Sequence, residues 1–141
     1  MKLIIAGDHA GRNLKKAVSR RLADNGFDFK DLGVAEEVER ADYPDLAHPL
    51  AQAVARGEYD LGILVCGTGT GMAMAANRVR GAIAASCTNE FMVRMARAHN
   101  NAIILALGER VIGEGLALDL VDLFLKTPFE GGRHQTRLDK F

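Results

Sequence analysis

Short apolar runs and longer amphipathic stretches take turns along this chain. The run at 2–7, KLIIAG, is almost wholly apolar and ends in Gly, which predicts a strand buried on both faces. In 11–26, Leu14, Ala17, Val18 and Leu22 recur at helical spacing and Gly26 marks the stop, so a helix is expected. FDFKDLG (27–33) reads as a strand with Phe27 and Phe29 on one side, and the acidic piece 34–42 as loop. A helix is expected from about residue 44 to residue 56, capped by Asp42 and kinked or split at Pro49. A buried strand follows at 59–66, then a glycine loop, then a small-residue helix over about 71–79. Residues 81–87 read as strand, 89–99 as a helix capped by Thr88 or Asn89, 102–108 as strand and 114–127 as a long amphipathic helix. A basic tail, PFEGGRHQTRLDKF, closes the chain.

Alternation of strand and helix with short connections predicts an α/β fold with a parallel sheet of about five strands covered by helices on both faces. At 141 residues, with no internal repeat or linker, the chain is expected to form one domain over 1–141, its residues 127–141 being the basic tail. Composition removes several functions. Eighteen Lys and Arg balance eighteen Asp and Glu, which argues against a nucleic-acid or anionic-lipid footprint. No apolar run approaches membrane-spanning length, and the five-residue stretch near the start is too short for a signal-peptide core. Two cysteines are too few for a disulfide framework, so a reducing cytoplasm is the expected compartment.

In parallel sheets ligands sit beyond the carboxyl ends of the strands. The polar residues at those ends are Asp8 and His9, the stretch from Cys66 to Gly71, Cys87 and Thr88, and Glu109 and Arg110. The loop CGTGTG matches neither the dinucleotide fingerprint, which needs a small residue where Met72 or Met74 falls, nor a phosphate loop ending in Gly-Lys-Ser/Thr. What it offers is a row of backbone N–H groups able to receive a carboxylate, a phosphate or a developing oxyanion. Cys66 opens that row, and an amide-rich helix start favours thiolate, which makes it a candidate base or nucleophile; the plain alternative is a buried small residue. Cys87 lacks such amides and reads as core. Asp8 and His9 can move protons together, or Asp8 can simply cap the next helix. His99 ends a helix, where a histidine often satisfies terminal carbonyls, and His48 receives no role. Arg110, Arg133, His134 and Arg137 can form an anion site or a solvated basic surface.

Taken together, GDHAG, DYPD, CGTGTGMAMAANR, RAHNNA, GERVIG and PFEGGRHQTR resemble, in that order and from Gly7 to Arg137, the type B ribose-5-phosphate isomerases, which group with the galactose-6-phosphate isomerase subunits. The resemblance implies a three-layer α/β/α Rossmann-like sandwich and a reaction without metal or cofactor, interconversion of ribose 5-phosphate and ribulose 5-phosphate through a cis-enediolate. It implies Cys66 as the base, with Thr68 beside the reacting carbons and the amides of Gly67, Gly69, Thr70 and Gly71 on the enediolate oxygens. Asp8 and His99 are implied as the ring-opening pair, Asn77 and Asn100 as sugar-hydroxyl contacts, and His9, Arg110, Arg133 and Arg137 as the phosphate clamp. Some relatives place a glutamate base in the loop; here that stretch contains no acid. The resemblance also implies a homodimer or tetramer in which the AHNNA segment and the tail meet Asp8 and Cys66 of a neighbouring chain. Allose 6-phosphate, galactose 6-phosphate and a tetrose phosphate remain alternative substrates, and a non-catalytic phosphate-binding module and a cysteine hydrolase using Cys66 and His99 are the alternatives of other classes.

Overall fold

A computed structural model describes residues 1–34 and 39–141, so residues 35–38 of the expected loop lie outside the described residues. Five strands form one sheet: β1 (Lys2–Gly7), β2 (Asp28–Asp31), β3 (Leu61–Cys66), β4 (Ala84–Ser86) and β5 (Ile104–Gly108). All pair in parallel, in the order β2-β1-β3-β5-β4. Six helices connect and follow them: α1 (Arg12–Asp24), α2 (Tyr43–Ala55), α3 (Thr70–Ala76), α4 (Glu90–Ala98), α5 (Glu114–Lys126) and α6 (Arg133–Leu138). A single 3-10 turn, His9–Gly11, leads into α1.

The central strands are apolar on both sides because each face of the sheet is covered. Leu3, Ile5, Ile63, Val65, Leu105 and Leu107 pack with α1, α4 and α5. Ile4, Ala6, Leu64, Cys66, Ile104 and Ala106 pack with α2 and α3. This is the expected three-layer sandwich. Phe124, on α5, is the largest of the wholly buried side chains among the described residues.

Three local expectations change. Pro49 does not split α2, which runs unbroken from Tyr43 to Ala55. The proline removes the hydrogen bond that would reach the Asp45 carbonyl, but Ala47, Leu50 and Ala51 are wholly buried around it and hold the helix against the sheet. Asp42 occupies the N-cap position of α2 without making a side-chain cap bond, whereas Asn89 caps α4 by accepting from the Met92 N–H at 2.9 Å. The basic tail, for which no helix or strand was expected, turns into α6 after two glycines at positive φ, Gly131 (66°) and Gly132 (55°).

Register decides which strand ends meet. Gly7 of β1 lies opposite Val65 of β3, and Cys66 lies opposite Gly108 of β5. The chain runs from β1 outward to β2 and then returns to β3 on the other side, so β1 and β3 flank the topological switch point. Asp8, Gly67 and Glu109 therefore leave the sheet side by side.

Candidate active site

At the switch point the glycine loop is fixed from beside it. The Glu109 N–H donates to the Cys66 carbonyl at 2.9 Å and the Arg110 N–H to the Gly67 carbonyl at 3.0 Å. Glu109 in turn spans to α1: its carboxylate accepts from Asn13 Nδ2 at 3.2 Å and from the Leu14 N–H at 3.0 Å. One acidic residue thus ties the ends of β1, β3 and β5 together, a task its sequence position at a strand end only hinted at.

Cys66 is 5% exposed, at the end of β3. The Gly69 N–H donates to its Sγ at 3.1 Å. Because α3 has only seven residues, this local amide matters more to the sulfur than a helix dipole would. The contact depends on Gly69 adopting φ 79°, the left-handed region that glycine alone enters freely. A Cβ there would also sit 2.9 Å from Ser86 Oγ and 3.1 Å from the Leu107 carbonyl carbon. Gly69→Ala is therefore expected to cost on the order of 2 kcal/mol, lowering Tm by roughly 5 °C, and to swing the amide away from sulfur. A thermal melt checks the first effect, and a fall of turnover to about a tenth or less checks the second.

Asp8 is 6% exposed and its Oδ1 accepts from the Ala10 and Gly11 N–H groups at 2.9 and 3.2 Å, so the capping role is observed. Exposed His9 accepts from the Ala41 N–H through Nδ1 at 3.3 Å, which assigns the remaining proton to Nε2 and gives the site an outward donor. Thr68 Oγ1 accepts from the Thr70 N–H at 3.3 Å. The Arg110 side chain lies over Gly67: a Cβ on that glycine would be 3.7 Å from Arg110 Nη1. Cys87, 2% exposed, has its thiol pushed up to about 11 by burial, in keeping with a core residue.

The remaining residues implied by the resemblance gather elsewhere. Helix α4 runs antiparallel to the strands, so His99 and Asn100 lie beyond the amino end of β5. Asn77 clamps the start of β4, donating from Nδ2 to the Ala84 carbonyl at 2.9 Å and accepting from the Ala84 N–H at 2.8 Å, so most of its amide is already committed. Asn77 and Asn100 share a groove of about 890 Å³ with Gln135 and Leu138 of α6, the helix that also carries Arg133 and Arg137. Cys66 and Ile104 are separated along the sheet by four residue steps, roughly 13 Å, and His99 lies further still. Within one chain the candidate residues form two groups at opposite ends of the sheet.

The second group holds Glu130, to which the sequence reading gave no part in the site, and His134, read only as part of a possible anion site. His99 stacks on His134 with ring centroids 4.0 Å apart and planes 10° from parallel. Glu130 Oε2 lies 3.7 Å from His99 Nε2 and 3.6 Å from His134 Nε2. Their ligand atoms all fall within 4.8 Å of one another, so the fold assembles a histidine–carboxylate cluster where no metal-ligand spacing was read. Near-parallel rings direct their lone pairs side by side rather than toward one tetrahedral centre. The i, i+4 spacing of Glu130 and His134 across a double glycine was the available signal.

The chain is similar to known proteins over nearly its whole length. Residues 3–141 match the family model described as Ribose/Galactose Isomerase. The ribose-5-phosphate isomerase B of Clostridium thermocellum is 51% identical, with a TM-score of 0.95 over 99% of this chain and 94% of that one. The Mycoplasma genitalium enzyme of the same name, solved with bound ribulose-5-phosphate, is 45% identical with a TM-score of 0.94, covering 99% and 92%. The Escherichia coli ribose-5-phosphate isomerase B is 44% identical over 140 residues, 99% of this chain and 93% of its own. No helix among the described residues is long and apolar enough to cross a membrane. By its sheet order, its strand-end residues and this breadth of similarity, the chain belongs to the ribose/galactose isomerase family.

Proposed function

We propose that the chain interconverts ribose 5-phosphate and ribulose 5-phosphate, with Cys66 as the base that moves a proton between C2 and C1. The observation that carries this reading is the Gly69 N–H held 3.1 Å from Cys66 Sγ at the switch point. A donor at that distance holds the sulfur at the mouth of the glycine loop, where the strand ends meet and a sugar carbon can reach it.

In the open-chain aldose the thiolate removes the C2 hydrogen as a proton. The electron pair left on C2 forms the C1–C2 double bond, and the carbonyl electrons move onto O1. The proton is returned to C1 as the O2 hydroxyl proton passes to O1, leaving the carbonyl at C2. Charge on the enediolate oxygens is met by backbone N–H groups of the 67–71 stretch. One such donor contributes about 3–4 kcal/mol when aimed at a developing oxyanion. Small residues allow that approach, since Gly67, Gly69 and Gly71 put no side chain between backbone and sugar. Asp8 and His99 open the sugar ring, and Asn100 and the remaining Nδ2 hydrogen of Asn77 hold hydroxyls. His9 and Arg110 meet the phosphate from the Cys66 end, and Arg133 and Arg137 from the other. Binding the remote phosphate orients C1 and C2 against sulfur.

Given these roles, the two-ended placement of the residues supports a site completed by a second copy. A sugar phosphate is far shorter than the distance from Cys66 past the amino end of β5, so His99, Asn100, Arg133 and Arg137 act at the Cys66 of a neighbouring protomer. A closed dimer supplies two such shared sites by symmetry.

The substrate is tested by comparing kcat/KM for ketose formation from four-, five- and six-carbon aldose phosphates. Ribose 5-phosphate is expected to exceed erythrose 4-phosphate, allose 6-phosphate and galactose 6-phosphate by at least about tenfold, the scale on which a pocket separates substrates differing by one carbon. A higher value for another length reassigns the substrate, and tight binding without turnover of any of them identifies a binding module instead.

A further inference from the structure

The cluster of His99, Glu130 and His134 has no place in the proton transfer between carbons, yet its geometry is specific. The Glu130 N–H donates to the Ala98 carbonyl at 3.0 Å, which pins the tail to the last turn of α4 beside His99. Gly131 and Gly132, both at positive φ, then reverse the chain so that His134 returns over the same carboxylate. His134, on α6, is 5% exposed, and its ring stacks on that of His99 at the end of α4. The His99 side chain is 35% exposed and so remains reachable from solvent or by a ligand.

We propose that Glu130 is a positioning residue for ring opening: it holds the stacked His99–His134 pair so that one imidazole nitrogen of His99 is left to exchange a proton with the sugar. The inference rests on the assignment of His99 to ring opening. With His99 Nε2 facing the carboxylate at 3.7 Å, Nδ1 is the nitrogen available to the substrate. His134 serves as the fixed ring against which His99 is oriented. Its burial, the adjacent His99 and Arg133 keep its basicity below that of an ordinary histidine, Glu130 works in the opposite direction, and Arg137 adds to the lowering. A less basic His134 stacks on His99 with less like-charge repulsion, and the Glu130 carboxylate faces both rings. In ring opening the hemiacetal hydroxyl proton at O1 leaves as the C1 carbonyl forms, the C1–O4 bond breaks, and O4 receives a proton. Of His99 and Asp8, one takes the O1 proton as the other gives a proton to O4, so their combined proton count is unchanged and each is reset by proton exchange with water before the next turnover.

The chemistry of the two substrates separates this role from the base step. Ribose 5-phosphate is mostly a closed furanose, whereas ribulose 5-phosphate, with its C5 oxygen esterified, cannot close onto its C2 carbonyl and is acyclic. Exchange of the C1 hydrogen of ribulose 5-phosphate with D2O, followed by NMR, therefore uses the Cys66 step and bypasses ring chemistry. Glu130→Gln and His134→Gln are expected to lower ribose 5-phosphate turnover by about tenfold or more, the scale of a mispositioned acid–base group, while C1 exchange stays within about twofold of wild type. Equal losses in both assays, or no loss in turnover, overturn the positioning role. Absence of C1 exchange in the wild-type protein instead overturns the proposed isomerisation, so the two failures are distinguishable. Glu130→Gln preserves the residue's shape at an exposed position, so it keeps the test available should His134→Gln fail to fold.

Discussion

Cys66→Ala is expected to lower turnover of ribose 5-phosphate by roughly two to four orders of magnitude, the contribution of a positioned acid–base group. On the transition-state scale that is about 3–5 kcal/mol. The protein should remain folded, because the substitution removes one sulfur from a site packed against the alanine-rich α2 and α3 layer. Affinity for ribulose 5-phosphate should change by less than about twofold, since the phosphate and hydroxyl contacts lie on other residues and the loss is confined to the transition state. Calorimetric titration and steady-state assays separate the two. A variant keeping more than about a tenth of wild-type turnover removes Cys66 from the role of base. The Gly69 amide also yields a discriminating companion: Cys66→Ser keeps a hydrogen-bond acceptor near it but substitutes a hydroxyl, whose proton is lost far less readily, and should be nearly as inactive as alanine.

The fold was legible because the strands buried on both faces differ so sharply from the amphipathic helices. Every residue from Leu61 to Cys66 is buried, and the corresponding run in the sequence, LGILVC, carries no charged residue. Boundaries were less legible where a strand lies at the sheet edge. Residues 81–87 read as strand, yet β4 is only Ala84–Ser86, because an edge strand is half-exposed and pairs only with β5. Pro49 misled for a related reason: its local cost is visible in the sequence, whereas the burial of Ala47, Leu50 and Ala51 that outweighs it is a property of the assembled sandwich.

The site divides in the same way. Cys66 and its glycine loop stand out from sequence because strand-end chemistry and bare backbone are local features. Glu109 was named only as a polar strand-end residue, since its work is done 95 positions away on the Leu14 N–H. Glu130 and His134 were obscured by a tail that reads as basic and polar until the double glycine folds it onto α4. Asn77 entered only as a sugar-hydroxyl contact implied by the family resemblance, and only the structure places both ends of its amide on the Ala84 backbone.

The division of the site between two ends of the sheet leads to the second large effect, restoration of activity by mixing two dead proteins. In the proposed shared site, Cys66→Ala lacks the base, and Arg137→Ala lacks a clamp residue supplied by the neighbouring protomer. At substrate concentrations well below the raised KM of Arg137→Ala, each homodimer should therefore be nearly inactive, carrying the same lesion at both sites. In a mixed dimer one site receives both lesions, while the other combines the intact Cys66 of one protomer with the intact Arg137 of its partner. Random reassortment of equal amounts makes half the dimers mixed, each with one whole site of two, so about one quarter of wild-type activity should return. Had Cys66 and Arg137 belonged to one protomer's site, every site would contain a lesion and mixing would restore nothing. The two outcomes differ from each other by far more than assay error, and the sheet geometry favours the first: four strand steps separate Cys66 from the level of Ile104, and Arg137 lies on the helix whose His134 stacks against His99 beyond that end. Co-expression of the two variants with different affinity tags, tandem purification of the mixed dimer and a turnover assay of it alone should give about half the wild-type rate per dimer, because one symmetric site of two is whole.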